Sequence, residues 1–176
     1  MKQCKFLSWM MAIAIAILTF TACSDDEEET MTVHFQLLNE AGAECYKYQE
    51  DDNIIFRLRI DNNTDNATIL PSVFEIIGTD IFSIYSAKGE YIGTPWDELF
   101  GNSSGKFVIE SNSSAVILCP WLDAPSLGVE GHENYYSGCF SKTEKKLALP
   151  KGEYYSKFDI SLKTKTKSCY RTFVIE

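Results

Sequence analysis

Histidine and proline are scarce in this chain, and acidic residues outnumber basic ones. The 176 residues include 2 histidines, 5 prolines, 16 lysines and arginines, and 25 aspartates and glutamates, which gives a formal net charge of −9. A chain this acidic lacks the basic surface with which proteins bind nucleic acid, so we predict no nucleic-acid partner. Two histidines also supply few general bases and few metal ligands.

Long apolar runs are rare as well. Only one run, at residues 6–20, approaches the length that crosses a bilayer, which excludes a multipass membrane protein. Helical periodicity over twelve or more residues is absent. The composition, 45% hydrophobic, 13% aromatic and 23% charged, is that of a globular chain rather than a disordered one. Without the leader described next, about 150 residues remain, enough for one domain that buries roughly 68–70% of its unfolded surface.

The first 22 residues have the layout of a secretory signal peptide. Lys2 and Lys5 form a positive n-region, residues 6–20 form an apolar h-region, and the small pair Thr21-Ala22 precedes Cys23. A single membrane-spanning anchor is the alternative, and the shortness of the apolar run disfavours it. We therefore predict a signal peptide at residues 1–22.

The residues around this junction resemble those of a known class of exported protein. The segment FTAC at 20–23 resembles the lipobox of bacterial lipoproteins, with Phe20 where an aliphatic residue is usual, and implies that Cys23 is acylated. The acidic run at 24–29 resembles the export signal of surface-exposed lipoproteins of the Bacteroidetes group. We therefore expect a lipidated acidic tether at 23–31, acyl attachment to the outer membrane and exposure on the cell surface. A plain solvated tether, facing the periplasm, is the alternative.

The four cysteines beyond the tether are Cys45, Cys119, Cys139 and Cys169. Disulfides persist in exported proteins, and four cysteines allow three connectivities. We favour Cys119–Cys139, which would staple the irregular stretch between them, and Cys45–Cys169, which would tie the first strands to the last. No pair has CxxC spacing, so a zinc site is disfavoured and we predict neither a metal nor another cofactor.

Strand patterns dominate the predicted domain at 32–176. Apolar and polar positions alternate at 33–37, at 54–61 and at 154–163, which is the period of a half-buried strand. Turn signals separate these segments, including Gly89, which we expect to take a positive φ in a hairpin. Seven to nine short strands at this spacing predict an all-β fold, an antiparallel β-sandwich.

Three segments are similar to the BsuPI-like proteinase-inhibitor family. They are FRLRIDNNTDNATI at 56–69, DIFSIYSAKGEYI at 80–92 and LPKGEYYSKFDISL at 149–162. The resemblance implies an immunoglobulin-like sandwich and, as an activity, inhibition of a proteinase. The stretch between Trp121 and Ser141 does not follow the family pattern, so no inhibitory loop is carried over to this chain.

Two short motifs could in principle carry chemistry. GNSSG at 101–105 fits G-x-S-x-G, but the strand before and the helix after it that a nucleophile elbow requires are absent from the pattern. The segment Glu-Asp-Asp-Asn at 50–53 could ligate calcium, but EF-hand spacing is missing. A flexible turn and a charged turn are the ordinary explanations. We predict no catalytic residue and no enzyme, with a hydrolase that uses Ser103 and His132 as the alternative.

Aromatic residues are the best candidates for recognition. The long stretch at 121–138 contains Trp121, Tyr135 and Tyr136, and Trp96 could join the same surface. Long loops on rigid sandwiches often bind partners, although Trp121 and one of the tyrosines could instead plug the end of the sandwich. We therefore predict a lipid-anchored, non-enzymatic binding or accessory module that recognises a protein or a glycan. An envelope proteinase inhibitor is the alternative function.

Overall fold

The computed structural model describes residues 30–70, 80–96, 107–122, 146–162 and 165–176, and the backbone of three short strands between them. All regular structure in these ranges is β, and no helix in them is long and apolar enough to cross a membrane. The predicted all-β class is confirmed. Several predictions lie outside the described residues: the signal peptide at 1–22, Cys23, the acidic run at 24–29, the motif at 101–105, His132, Tyr136 and Cys139.

Thirteen strands are described, more than the seven to nine predicted, and nine of them have three residues or more. The other four strands have two residues each, which is too short to give a sequence pattern. In chain order the strands are β1 Met31–Leu38, β2 Lys47–Tyr48, β3 Ile55–Asn62, β4 Thr68–Leu70, β5 Ile84–Ser86, β6 Tyr91–Gly93, β7 Glu98–Leu99, β8 Phe107–Ile109, β9 Ser113–Pro120, β10 Asn134–Tyr135, β11 Phe140–Ser141, β12 Gly152–Leu162 and β13 Lys165–Ile175.

Two larger sheets organise the described strands. The first has the order β1-β3-β9-β10 and the second the order β2-β13-β12-β5-β6, while β4-β8 and β7-β11 form two-stranded ladders. Pairing is antiparallel except at two sheet edges, where β10 joins β9 and β2 joins β13 in parallel. Buried side chains from both larger sheets form one hydrophobic cluster. This arrangement is consistent with the predicted sandwich, and its immunoglobulin-like identity stays a prediction.

The alternation read from the sequence corresponds to burial in the long strands. In β3, the side chains of Phe56, Leu58 and Ile60 are buried, whereas Arg57 and Arg59 between them are partly exposed. The alternation continues in β12, where every second residue from 154 to 162 is buried. Period-two burial of one face is what an apolar core on one side of a sheet requires.

The β5-β6 hairpin has the predicted turn. The amide N–H of Gly89 donates to the carbonyl of Ser86 over 2.8 Å, and the N–H of Ser86 donates to the carbonyl of Glu90 over 2.9 Å. Gly89 has a φ of 86°, a conformation that glycine adopts without steric cost. The turn places β5 and β6 side by side in the second sheet.

The start of this hairpin differs from the prediction. The sequence favours a strand from Ile81, but β5 begins at Ile84 because residues 80–83 form a turn in which the N–H of Ser83 donates to the carbonyl of Asp80 over 3.0 Å. Phe82, at the third position of the turn, has a φ of 62°. That position usually holds glycine or asparagine. Phe82 occupies it because its ring is fully buried in the hydrophobic cluster.

Candidate functional site

The cysteine pairing predicted between the first and last strands is corrected by the structure. Among the described cysteines none is joined to another, so the Cys45–Cys169 disulfide is not formed. Lys47 lies opposite Val174 in the β2-β13 ladder, which puts Cys45 level with Thr172, three residues from Cys169. Three residues of strand span about 10 Å, beyond the Cα separation of about 7 Å that a disulfide tolerates. Because Cys139 is not described, the Cys119–Cys139 pairing stays a prediction.

Cys45 and Cys169 have different surroundings. The Sγ of Cys45 donates to the carbonyl of Lys47 over 2.9 Å at a partly exposed position. Cys169 is buried in the core, and burial raises the pKa of its thiol to about 11. A thiol that stays protonated at neutral pH is a poor nucleophile and a poor metal ligand. The described part of the chain also contains no group of His, Cys, Asp and Glu that could hold a metal ion.

Both tryptophans proposed for recognition lie in the core. The side chain of Trp96 is buried, and its Nε1–H donates to the carbonyl of Ile81 over 2.9 Å. Trp121 is buried as well and donates to the carbonyl of Leu147 over 2.9 Å. Packing and a hydrogen bond account for both rings, and for Trp121 this is the alternative that the sequence left open. Tyr135 is described only in the backbone of β10, so its side chain is not assigned a role.

The acidic segment at 50–53, Glu-Asp-Asp-Asn, forms a turn. The Asp52 carboxylate accepts the N–H of Gln49 over 2.7 Å, and the N–H of Asp52 donates back to the Gln49 carbonyl over 3.1 Å. The amide oxygen of buried Asn53 accepts the N–H of Leu122 over 2.9 Å. These bonds hold the chain at the entry to β3, so the charged-turn interpretation accounts for this segment.

A polar cluster lies on the outer side of the first sheet, around the carboxylate of Asp61. One oxygen accepts the Arg59 Nε–H and the Ser114 hydroxyl, each over 2.6 Å, and the other lies 3.2 Å from the Nε2 of His34. Burial alone would raise the pKa of Asp61, but these hydrogen bonds and the nearby positive charges outweigh it and lower the pKa. The serine contacts the aspartate and not the histidine, so the cluster lacks the relay of a nucleophilic triad.

A row of four tyrosines crosses the outer side of the second sheet. Tyr91, Tyr85, Tyr155 and Tyr170 come from β6, β5, β12 and β13, which are neighbours in that order. Tyr85 is the direct cross-strand partner of both Tyr91 and Tyr155, and Tyr170 lies diagonal to Tyr155. The flanking residues Tyr154 and Ser156 are buried, so Tyr155 points to the opposite, outer side. We call these four residues the tyrosine row.

The rings of the tyrosine row contact one another in sequence. The centroids of Tyr85 and Tyr155 are 5.2 Å apart with their planes 14° from parallel. Tyr91 meets Tyr85 at 5.6 Å and 63°, and Tyr170 meets Tyr155 at 5.4 Å and 34°. Aromatic contacts of this kind favour one arrangement of each side chain. The contacts between neighbouring rings therefore hold the row in one arrangement.

The rings at the two ends of the row are the most exposed. Tyr91 is 61% exposed and Tyr170 is 50% exposed, while Tyr85 and Tyr155 between them are partly buried by their neighbours. None of the four hydroxyl groups hydrogen-bonds to a residue that the structure describes. Each hydroxyl can both donate and accept, so the row presents apolar ring surface beside polar groups.

A shallow depression of about 540 Å³ adjoins one end of the tyrosine row. Tyr155 and Tyr170 form one part of its lining, and Lys47, Glu153 and Thr172 supply polar groups. Lys47 pairs with Glu176 over 2.8 Å, and this hydrogen bond raises the pKa of its ammonium group. The depression has the size of a small-molecule site, and it combines aromatic walls with a few polar side chains.

Sequence reasoning did not find the tyrosine row. The alternation of β12 already placed Tyr155 on the polar side of its strand, and the aromatic hairpin included Tyr85 and Tyr91. A surface emerges only when β13, β12, β5 and β6 are neighbours in a known register, and that requires the sheet order. The signal available in the sequence was the presence of tyrosines at outward positions of several strands.

Comparison of the chain with protein-family models, with curated proteins and with solved structures gave no match. The resemblance to BsuPI-like inhibitors and to surface lipoproteins therefore stays a prediction from the sequence.

Proposed function

We propose that this chain is a lipid-anchored, non-enzymatic binding module of a bacterial cell envelope, and that the tyrosine row is its recognition surface. One observation carries the proposal. Four tyrosines, each in ring contact with the next, occupy adjacent strands on the outer side of a sheet, at a place where polar side chains would serve solubility better. The lipobox-like segment and Cys23 support the anchor, and the acidic run at 24–29 supports exposure on the cell surface.

Tyrosine is suited to this task because it offers a large contact area with few rotatable bonds. The contacts between neighbouring rings restrict those bonds before a ligand arrives. Binding then loses less side-chain entropy than it would on a surface of flexible residues. The rigid strands beneath the row also keep the four rings at fixed separations.

The test compares two variants of the full-length protein, purified from membranes in detergent. The first, Tyr91→Ala with Tyr170→Ala, removes the two most exposed rings of the row. The matched control, Leu147→Ala, removes an 86% exposed apolar side chain outside the row. Each protein is applied to arrays that carry immobilised glycans and immobilised proteins, and thermal unfolding confirms that the variants are folded.

We expect the unaltered protein and the Leu147 variant to bind the same array members, and the double tyrosine variant to lose that binding. An equal signal from all three proteins would contradict the assignment of the recognition surface. An absence of binding by the unaltered protein across both arrays would contradict the binding function itself.

Anchoring and exposure have a separate test on intact cells. We expect Cys23→Ser to release the protein from the membrane fraction, since the serine hydroxyl cannot take the thioether-linked lipid. External protease should remove the unaltered protein while a periplasmic marker survives. A protein that is degraded only after the outer membrane is broken would contradict surface exposure and leave the acidic run as a tether.

A further inference from the structure

The geometry of the tyrosine row narrows the class of ligand. We infer that the row binds an uncharged, extended glycan chain that lies across the strands, in line with the four rings. The inference rests on the proposed binding function and deepens it. It depends on the spacing of the rings, on the chemistry they present and on the charge of the chain.

The spacing is nearly constant. Successive centroids are 5.6, 5.2 and 5.4 Å apart, because each tyrosine stands on a different strand and neighbouring strands are about 4.8 Å apart. A linear polysaccharide likewise repeats one sugar ring at a constant interval of similar size. A regular row of rings therefore matches the repeat of such a polymer.

The chemistry of the row is also that of a sugar-binding surface. A sugar ring has apolar C–H faces and a rim of hydroxyl groups. The exposed rings of Tyr91 and Tyr170 can contact the C–H faces at the two ends of the row. The stacked pair Tyr85 and Tyr155 covers part of its own ring faces and offers hydroxyl groups in the centre. Those hydroxyls have no hydrogen-bond partner among the described residues and can pair with sugar hydroxyls.

The depression beside Tyr155 and Tyr170 can hold one sugar unit of the chain. Glu153 and Thr172 line it with acceptor and hydroxyl groups, and the ammonium group of Lys47 has donors left after its bond to Glu176. Polar groups within an aromatic depression select the orientation of a bound ring. The glycan therefore has one end fixed by hydrogen bonds and the remainder held by ring contacts.

Charge decides between neutral and anionic glycans. The chain carries a formal net charge of −9, and Lys47, which lines the depression, already forms an ion pair with Glu176. Anionic polymers would be repelled at long range by this charge. An uncharged glycan is not repelled, and its binding should change little with salt concentration.

The experiment measures binding of the full-length protein in detergent to soluble polysaccharides. The neutral probes are a β-glucan, a xylan, a mannan and dextran, and dextran sulfate is the charged counterpart of the last. Oligosaccharides of one to six units, cut from the neutral polymer that binds best, measure the dependence on length. We expect affinity to rise up to about four units, the number of rings in the row, and then to level off.

Single substitutions give the effect of each part of the row. Tyr91→Ala and Tyr170→Ala should each weaken binding about tenfold, which corresponds to about 1.4 kcal/mol. Tyr85→Phe keeps the stacked ring and removes only the hydroxyl, so it should weaken binding by a smaller factor without changing thermal unfolding. Leu147→Ala should leave the affinity unchanged.

Three results would overturn the inference in distinguishable ways. Row-dependent binding to immobilised proteins, without binding to any polysaccharide, would exclude a glycan and keep the proposed binding function. Binding of dextran sulfate alone, lost at high salt, would exclude an uncharged ligand. Polysaccharide binding that survives both tyrosine substitutions would remove the row from recognition, and the proposed surface would fall with it.

Discussion

The ring of Phe82 lies 5.3 Å from the ring of Phe158 at an interplanar angle of 82°, an edge-on contact in the centre of the core. Phe82 also contacts Phe35 and Phe56 of the other sheet, at 5.9 and 5.6 Å. One side chain thus joins the two larger sheets. Its backbone has a φ of 62°, a conformation that disfavours a bulky residue, so packing and backbone strain oppose each other at Phe82.

Substitution of Phe82 separates these two effects. Phe82→Ala should lower the free energy of unfolding by about 3–5 kcal/mol, since a fully buried ring is lost. Phe82→Gly should be at least as stable as Phe82→Ala, because glycine adopts the positive φ without cost. At Phe158, inside β12, glycine should instead be less stable than alanine by about 0.5–1 kcal/mol. Urea unfolding measures all four variants, and a less stable glycine variant at both positions would contradict strain at Phe82.

Asn62 stabilises the end of β3 through several backbone groups. Its Nδ2 donates to the carbonyls of Asn66, Ile109 and Glu110 at 2.9–3.0 Å, and its side chain is buried. Asn62→Ala should cost about 1–3 kcal/mol of unfolding free energy, because it removes the donors from one buried and two partly buried hydrogen bonds. The control is Asn63→Ala, at an exposed neighbour, which should change stability by no more than about 0.5 kcal/mol. Equal losses in chemical denaturation would show that Asn62 is not the residue that organises this turn.

The sequence allowed prediction of those features that depend on neighbouring residues. Period-two alternation identified β3 and β12, and Gly89 identified the hairpin turn, because a local pattern determines each of them. By composition, the polar run at 61–66 favours a loop, but Asn62 within it is buried in β3. The sequence does not show this, because two of its acceptors, at 109 and 110, are distant in the chain. The turn at Phe82 was missed for the same reason. The turn is stabilised by contacts between the ring of Phe82 and aromatic rings on other strands.

The candidate site was harder to predict than the fold. The tryptophans are rare and large, which made them the obvious residues for recognition, but a large aromatic residue is equally suited to the core. The tyrosine row depends on the order of four strands, and no local pattern contains that order. The predicted Cys45–Cys169 disulfide was wrong because its two cysteines are offset along neighbouring strands.

The cysteines should differ in their reaction with a thiol reagent. Because Cys169 is buried and its thiol pKa is raised, we expect it to resist maleimide at pH 7.5 in the native protein and to react after unfolding. Cys45, which is partly exposed, should react in the native state. Peptide mapping without a reducing agent checks the connectivity in the same sample. Recovery of a peptide that contains Cys45 linked to Cys169 would contradict the register of β2 against β13.

The contacts of Asp61 should make stability sensitive to acid. The folded state lowers the pKa of Asp61, so the ionised carboxylate stabilises the protein at pH values above the unfolded pKa. This contribution should be lost as the pH falls below about 4 and through the lower folded-state pKa. Asp61→Asn should therefore be less stable than the unaltered protein at pH 6, and the difference in stability should shrink at pH 3.

The matched control is Asp51→Asn, at an exposed turn, and its difference in stability from the unaltered protein should not change between these pH values. Thermal unfolding across this pH range measures both variants, and a constant Asp61→Asn difference from pH 6 to pH 3 would contradict the stabilising role of the carboxylate.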